Sequence, residues 1–198
     1  HRGDRWFFRP DSHTWGTPAD YGIEVETVHF HAPGGPRLHG WWIAAIGAVR
    51  GTVVYCHGNH GNLTHHARFI RWLPARGYNV LIFDYRGYGA SAGHITRRGA
   101  IDDTVAAIDF ALARDPDQTC LFGHSLGGAI GIVAAARRPA VRAVIAESTF
   151  PSYRAAARGT VPVLAFLVPW LVSAGNDPQD ALRELRRPLL VLHGAGDR

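Results

Sequence analysis

One serine lies between two glycines in the segment 123–127, whose sequence is GHSLG. A serine hydroxyl becomes a nucleophile when a base takes its proton, and a helix N-terminus beneath it favours developing negative charge. An apolar run precedes this segment and a helical pattern follows it, which is the strand–turn–helix setting that such a serine requires. Side chains two residues to either side would collide with neighbouring elements, which explains the glycines. We therefore predict that Ser125 is a nucleophile; the alternative is a chance match in a chain with 23 glycines.

Four histidines between residues 57 and 66 form a second group that could do chemistry, and they first suggest a metal site. No Asp, Glu or Cys lies in this stretch, however. The adjacent His65 and His66 also do not share a helix face. We therefore predict that this segment binds no metal ion.

Apolar patterns predict the elements that position these residues. Short continuous apolar runs predict strands at 51–56, 79–83, 119–122, 141–146 and 189–192, and helical spacing predicts helices at 63–76, 101–112, 126–137 and 181–185. Because each strand is apolar throughout and alternates with helices, the fold class is α/β, with a mostly parallel sheet covered on both faces. A hairpin of strands 23–32 and 38–46 precedes this sheet, with a bulge near Thr27 where the apolar phase changes. Residues 1–20 are predicted to be irregular.

Composition limits the classes of function. The 198 residues, 46% of them hydrophobic, suit a single globular domain. The longest mainly apolar stretch, 161–172, is too short for a membrane span, which needs about 20 residues. The net charge is +5, and its arginine pairs are expected to be solvated, with contact to an anionic membrane as the alternative. No basic stripe with interleaved aromatics suggests nucleic-acid binding. Two cysteines imply no disulfide-dependent compartment, which leaves the cytoplasm or a membrane surface, and the absence of lysine favours a GC-rich bacterial genome.

Five motifs resemble the α/β-hydrolase superfamily, in the branch of serine aminopeptidase-like and lysophospholipase-like proteins with a small lid. In chain order they are HGN at 57–59, DYRGYGAS at 84–91, GHSLGG at 123–128, ESTF at 147–150 and HGAGD at 193–197. The resemblance runs from about Ile23 to the end of the chain. It implies a doubly wound sheet with an N-terminal antiparallel hairpin, and a last strand and helix that would follow residue 198. Relatives are commonly esterases, thioesterases or lipases, and several carry an N-terminal membrane anchor.

The resemblance also implies an oxyanion hole. It places strands 51–56 and 119–122 side by side, so the loops that follow them meet at the edge where open α/β sheets bind ligands. We expect the backbone N–H groups of Asn59 and Leu126 to converge there on one oxygen. The segment 84–91 is expected to be mainly a structural turn, with substrate contact as the alternative, and Ser91 a turn residue.

A catalytic serine needs a base, and the base needs an acid that orients it. In hydrolases of this fold the order along the chain is serine, acid, histidine. Asp197 follows the strand 189–192 at the same sheet edge and is the predicted acid. Glu147, at the end of the preceding strand, is the alternative, or else a buried, hydrogen-bonded carboxylate.

The base is not evident in the chain. His193 is the one histidine after Ser125, and the family repeats His-Gly at that position without using it as the base. His124 is expected to point away from its neighbour and to be packed. We therefore expect the base beyond Arg198.

Residues 150–187 lie between the sixth and seventh strands of the resembled fold, where this superfamily inserts a lid. The stretch 161–172 carries Phe166 and Trp170 and is strongly apolar. It is expected to pack on the body of the domain; the alternative is that it lines an acyl-binding pocket or touches a membrane.

These features predict a serine hydrolase of carboxylic esters or thioesters that works through an acyl-enzyme and needs no metal or organic cofactor. An aminopeptidase would use the same residues but should have acidic groups near the pocket for a substrate amine. A non-catalytic binding protein with the same fold is a third reading. The expected partner is a small acyl ester or thioester and not a nucleic acid. Lipid contact through the lid or an N-terminal anchor is left open.

Overall fold

A computed structural model describes residues 7–115, 117–160, 168, 172 and 175–194. Within them a seven-stranded sheet has the order β1-β2-β4-β3-β5-β6-β7. The strands are β1 Glu26–Phe30, β2 Leu38–Ile43, β3 Gly51–Cys56, β4 Tyr78–Phe83, β5 Thr119–His124, β6 Val144–Glu147 and β7 Leu189–Leu192.

The strands from β3 onward form the parallel sheet that the sequence predicts. β1 pairs antiparallel with β2, and β2 pairs antiparallel with β4. All other neighbouring strands pair in parallel. β3 is buried at every position, as its continuous apolar sequence indicates. Its neighbour β5 runs beside it in parallel, so the loops after both strands leave the same edge.

Helices cover both faces of the sheet. They are α1 Pro18–Tyr21, α2 Leu63–Ile70, α3 Arg97–Arg114, α4 Leu126–Ala136, α5 Tyr153–Thr160 and α6 Pro178–Ala181. The side chain of Asn62 caps α2 by accepting from the Thr64 N–H, and that of Thr96 caps α3 by accepting from the Gly99 N–H. No described helix is long and apolar enough to cross a bilayer.

The core has one part on each face. On the face of α3 and α4 it contains Val54, Leu81 and Leu121. On the face of α2 it contains Tyr55 and Ile82. The side chains of successive strand residues point to opposite faces, so the buried strands contribute to both parts.

Several boundaries differ from the predictions. β1 begins at Glu26, and its pairing with β2 is one-to-one, so the bulge predicted near Thr27 is wrong. The phase change has another cause: Ile23 and Val25 precede the strand and pack on the α2 face, whereas Val28 and Phe30 pack on the other.

Prolines account for two further differences. α2 ends at Ile70, and a 3₁₀ turn at Pro74–Arg76 follows in place of a continuous helix to residue 76. The helix expected at 181–185 lies at Pro178–Ala181, because Pro178 suits the first turn of a helix. In the segment 7–20, α1 begins at Pro18, and its cap is the side chain of Thr17.

Candidate active site

Ser125 lies on the turn between β5 and α4 with φ 53° and ψ −119°. Positive φ is uncommon for a residue other than glycine and costs roughly 1–3 kcal/mol. Two contacts hold the turn: the Ser125 N–H donates to the Glu147 carbonyl at 2.8 Å, and the Thr149 hydroxyl donates to the Ser125 carbonyl at 2.9 Å. The serine therefore has the strand–turn–helix setting that the sequence predicts.

The glycines beside Ser125 are required by close backbone contacts. A Cβ on Gly123 would lie 2.4 Å from the carbonyl oxygen of Gly127. A Cβ on Gly127 would lie 2.0 Å from the carbonyl oxygen of Cys56 at the end of β3. These collisions, with the helix on one side and a strand on the other, are the predicted reason for the motif.

A cavity of about 280 Å³ opens at Ser125. Two larger cavities, of about 570 and 440 Å³, lie elsewhere and do not include this serine, so size does not mark the site. The described lining of the serine cavity is Phe7, Arg9, Asn59, Ser125, Leu126, Phe150, Ala156, Ala157 and Val172. The structure therefore brings together three of the four predicted site residues. The fourth, Asp197, lies outside the described residues.

The loop after β3 holds Asn59 in a defined position. Its side-chain Oδ1 accepts from the Arg9 N–H at 2.7 Å and from the Tyr88 hydroxyl at 3.2 Å. Among the described residues, no group accepts a hydrogen bond from the backbone N–H of Asn59 or of Leu126. With respect to the described residues, both N–H groups are thus available to an oxyanion, and the predicted hole remains a prediction.

An N-terminal strap, residues 7–15, forms one wall of the cavity and was missed by sequence reasoning. The Phe7 ring meets the Tyr153 ring edge-on, with centroids 5.0 Å apart. Asn62 Nδ2 donates to the carbonyls of Asp11 and His13, so the strap is bound to the cap of α2 as well. Aromatic residues in an irregular segment were the one available signal, and they do not indicate which partners they contact.

The segment 84–91 is held by buried contacts and does not line the serine cavity. Asp84 Oδ1 accepts from the Leu63 N–H at 2.7 Å, and the Ser91 hydroxyl donates to the Asp84 carbonyl at 2.6 Å. Arg86 forms a bidentate pair with Asp103 of α3, in which Nε donates to Oδ2 and Nη2 donates to Oδ1. These contacts agree with the structural role expected for this turn.

His124 and Glu147 contact each other. Nδ1 of the histidine lies 3.2 Å from a carboxylate oxygen of the glutamate. The His124 ring also stacks on Phe69, with centroids 6.3 Å apart, and its side chain is 34% exposed, so it is packed on one side only. The Glu147 side chain is 42% exposed, so it is hydrogen-bonded but not buried.

The histidines after β3 form an aromatic cluster. His57 is fully buried and stacks on His66, with centroids 5.3 Å apart. Burial lowers the pKa of both rings, that of His66 to about 2, so they are neutral at pH 7. Among the described residues, no three His, Cys, Asp or Glu side chains are grouped as metal ligands.

Among the residues that the structure describes, neither a base nor a competing thiol lines the cavity. No histidine is among its described lining residues. His193 lies exposed just after β7. Burial raises the pKa of the Cys56 thiol to about 12, so this thiol stays protonated and is not a rival nucleophile.

The described part of the lid region packs on the body of the domain. Val172 is buried in the core and also lines the serine cavity. The Arg97 guanidinium lies 3.8 Å from the centre of the Tyr153 ring and donates to the Gly175 carbonyl. Phe166 and Trp170 lie outside the described residues, so their expected role stays a prediction.

The strand order and a strained serine after β5 define an α/β hydrolase. The sequence profile of the family described as serine aminopeptidase, S33, matches residues 47–177, and the chain belongs to this α/β-hydrolase family. YfhR of Escherichia coli strain K12 is 37% identical over 202 residues, which cover 97% of this chain and 69% of YfhR. The α/β-hydrolase domain-containing protein WAV2 of Arabidopsis thaliana is 33% identical, over 91% of this chain and 64% of WAV2.

Solved structures show the same fold. The Pyrococcus furiosus esterase Pf2001 is 25% identical with a TM-score of 0.73, covering 93% of this chain and 76% of the esterase chain. An α/β hydrolase from Vibrio vulnificus is 23% identical with a TM-score of 0.71, covering 86% of this chain and 64% of that one.

Proposed function

We propose that this protein is a serine hydrolase that cleaves carboxylic esters or thioesters through an acyl-enzyme on Ser125. The observation that carries the proposal is the strained backbone of this serine at a cavity that Asn59 and Leu126 also line. The similarity to the esterase Pf2001 supports the same class of reaction.

The proposed reaction has two steps. Ser125 Oγ attacks the acyl carbon while a histidine takes its proton, and the N–H groups of Asn59 and Leu126 stabilise the oxyanion. The alcohol or thiol leaves with that proton, and water then hydrolyses the acyl-enzyme. Asp197 is proposed as the acid and the histidine as a residue that follows it, in the order serine, acid, histidine.

The charge of the cavity favours an ester or thioester over a peptide with a free amine. An aminopeptidase must bind an ammonium group, which calls for a carboxylate near the serine. The described lining contains no acidic residue, and its one charged residue is Arg9. A neutral or anionic substrate is the better electrostatic match.

The test is labelling of the natural full-length protein with a fluorophosphonate probe. We expect labelling of the parent protein and none of Ser125→Ala. Ser148→Ala is the matched control, because Ser148 also has positive φ, 47°, at the end of the next strand, but does not line the cavity. Ester hydrolysis is then measured against hydrolysis of aminoacyl amides.

Two results would contradict the proposal. Absent labelling, or labelling unchanged in Ser125→Ala, would favour a non-catalytic binding protein. Faster cleavage of aminoacyl amides than of esters would favour an aminopeptidase.

A further inference from the structure

The α2 face carries exposed aromatic and aliphatic side chains in two adjoining segments. Phe69 and Trp72 are 48% and 54% exposed, and Ile46 and Val49 are 71% and 62% exposed. We call the two segments, residues 46–50 and 68–76, the basic aromatic patch. Large apolar side chains grouped in this way mark an interaction surface more often than scattered ones do.

Backbone contacts make the patch continuous. The Ile46 N–H donates to the Pro74 carbonyl at 2.9 Å, and the Arg50 N–H donates to the Gly77 carbonyl at 2.8 Å. These bonds fix the loop before β3 against the turn that follows α2. The Trp72 indole N–H donates to the Phe69 carbonyl at 2.9 Å, so this exposed ring is held in place.

The patch is strongly basic. Arg50, Arg68, Arg71 and Arg76 are all exposed, and residues 27–83 contain no Asp or Glu. The two acids that flank this range are already engaged or buried: Glu26 pairs with Arg114 at 2.7 Å, and Asp84 is 1% exposed.

The arginines of the two faces differ in their partners. Around α3 and α4, arginines pair with acids: Arg86 with Asp103 at 2.6 Å and Arg138 with Asp109 at 2.6 Å. In the part of the chain that the structure describes, none of the four patch arginines forms an ion pair. Arg68 instead lies 4.6 Å from the centre of the Phe69 ring. Within the described residues, the four patch arginines thus carry positive charge with no ion-pair partner.

We infer that the basic aromatic patch docks this protein on an anionic lipid surface. Exposed Trp and Phe beside unpaired Arg is the pattern that places a helix at the headgroup level of a bilayer. Each cationic side chain near an anionic leaflet strengthens binding about fivefold. A second copy of this chain is a poorer occupant, because two such patches would repel each other.

The position of the patch separates docking from catalysis. The loops of the patch precede β3 and β4, whereas Asn59 and Ser125 follow β3 and β5. Docking through these loops therefore occurs toward the opposite edge of the parallel sheet, and no patch residue is among the described lining of the serine cavity. The inference does not depend on the proposed hydrolase activity.

The test is cosedimentation of the protein with vesicles. We expect binding to phosphatidylcholine vesicles that contain phosphatidylglycerol, weak binding to phosphatidylcholine alone, and a loss of binding as salt rises. The double variant Arg68→Gln/Arg71→Gln should bind the anionic vesicles about 25-fold more weakly, since each arginine contributes about fivefold. Arg98→Gln/Arg142→Gln, with the same charge change on exposed residues outside the patch, should bind like the parent protein.

Four results would overturn the inference. Three of them are no binding to anionic vesicles, equal losses in both double variants, and a dimer in analytical ultracentrifugation that the patch variant dissociates. A urea unfolding curve for each variant shows whether a loss reflects unfolding. Loss of vesicle binding in the double variant Phe166→Ala/Trp170→Ala, with the patch variant binding normally, would place the lipid contact on the lid. That result would also overturn the inference.

Discussion

At the scale of single residues, the nucleophile position is a strained backbone held by its neighbours. Contacts from Glu147 and Thr149, on and just after the adjacent strand, fix the amide and the carbonyl of Ser125. Because a positive φ persists only where the surroundings impose it, these contacts stabilise a conformation that the chain would otherwise leave. The strain is thus maintained by β6 and not by the serine itself.

Gly127 is the glycine of the GHSLG motif with the least room. We expect Gly127→Ala to lower the free energy of unfolding by about 3 kcal/mol or more, because its Cβ would lie 2.0 Å from a backbone carbonyl of β3. Gly131→Ala in the same helix should lower the free energy of unfolding much less. The nearest atom there is Leu121 Cδ2, at the end of a flexible side chain, and alanine has the higher helix propensity. Urea unfolding measures both, and equal costs would contradict this explanation of the motif.

At the scale of elements, buried carboxylates join the turn after β4 to the helices on each face. Asp84 accepts from the first N–H of α2, and Asp103 of α3 binds Arg86 in the turn. Burial raises the pKa of Asp103 although Arg86 lowers it, whereas the pKa of Arg86 is raised by the same pair. The ion pair fixes the turn after β4 against α3, while the desolvation of its two charges opposes this stabilisation.

Asp103→Asn should therefore destabilise the fold by roughly 3–5 kcal/mol, because it leaves the half-buried Arg86 without its carboxylate. Asp109→Asn is the same change on the same helix, at an exposed pair with Arg138. It should cost at most about 1 kcal/mol. Chemical denaturation of both variants measures the difference, and similar costs would show that burial is not the cause.

At the scale of the whole molecule, buried histidines link stability to pH. Burial lowers the pKa of His57 and His66, so the native state keeps both rings neutral. The unfolded chain takes up protons below about pH 6.5, where histidine normally titrates. Stability is therefore full above that pH and is lost as the pH falls toward the native pKa values.

We expect His66 alone to lower the free energy of unfolding by about 1.6 kcal/mol between pH 6.5 and pH 5, at up to about 1.4 kcal/mol per pH unit, and His57 to lower it further in the same direction. His66→Gln should remove its own part of this slope. The exposed His94→Gln should leave it unchanged. Thermal or urea unfolding across this range provides the measurement; a parent slope near zero would refute the expectation.

Local sequence signals predicted the sheet and the turn at Ser125, because the glycines and the apolar runs reflect contacts that any such fold must make. Other features depend on contacts without periodicity. Arg9 reaches Asn59 and Tyr88 from an irregular segment, so no spacing could reveal it. The shift in the alternation of apolar residues before Val28 fitted either a β-bulge or packing on the other face of the sheet. Only the packing in the structure distinguishes the two.

The N-terminal strap also has a consequence for biosynthesis. Its Arg9 amide bonds to Asn59 and Tyr88, residues that are translated 50 and 79 positions later. At about 5–20 residues per second, the ribosome needs roughly 4 to 16 s to add the later partner. The N-terminal strap therefore remains without these contacts while the first four strands of the sheet are being made, and its ring contact with Tyr153 must wait longer still.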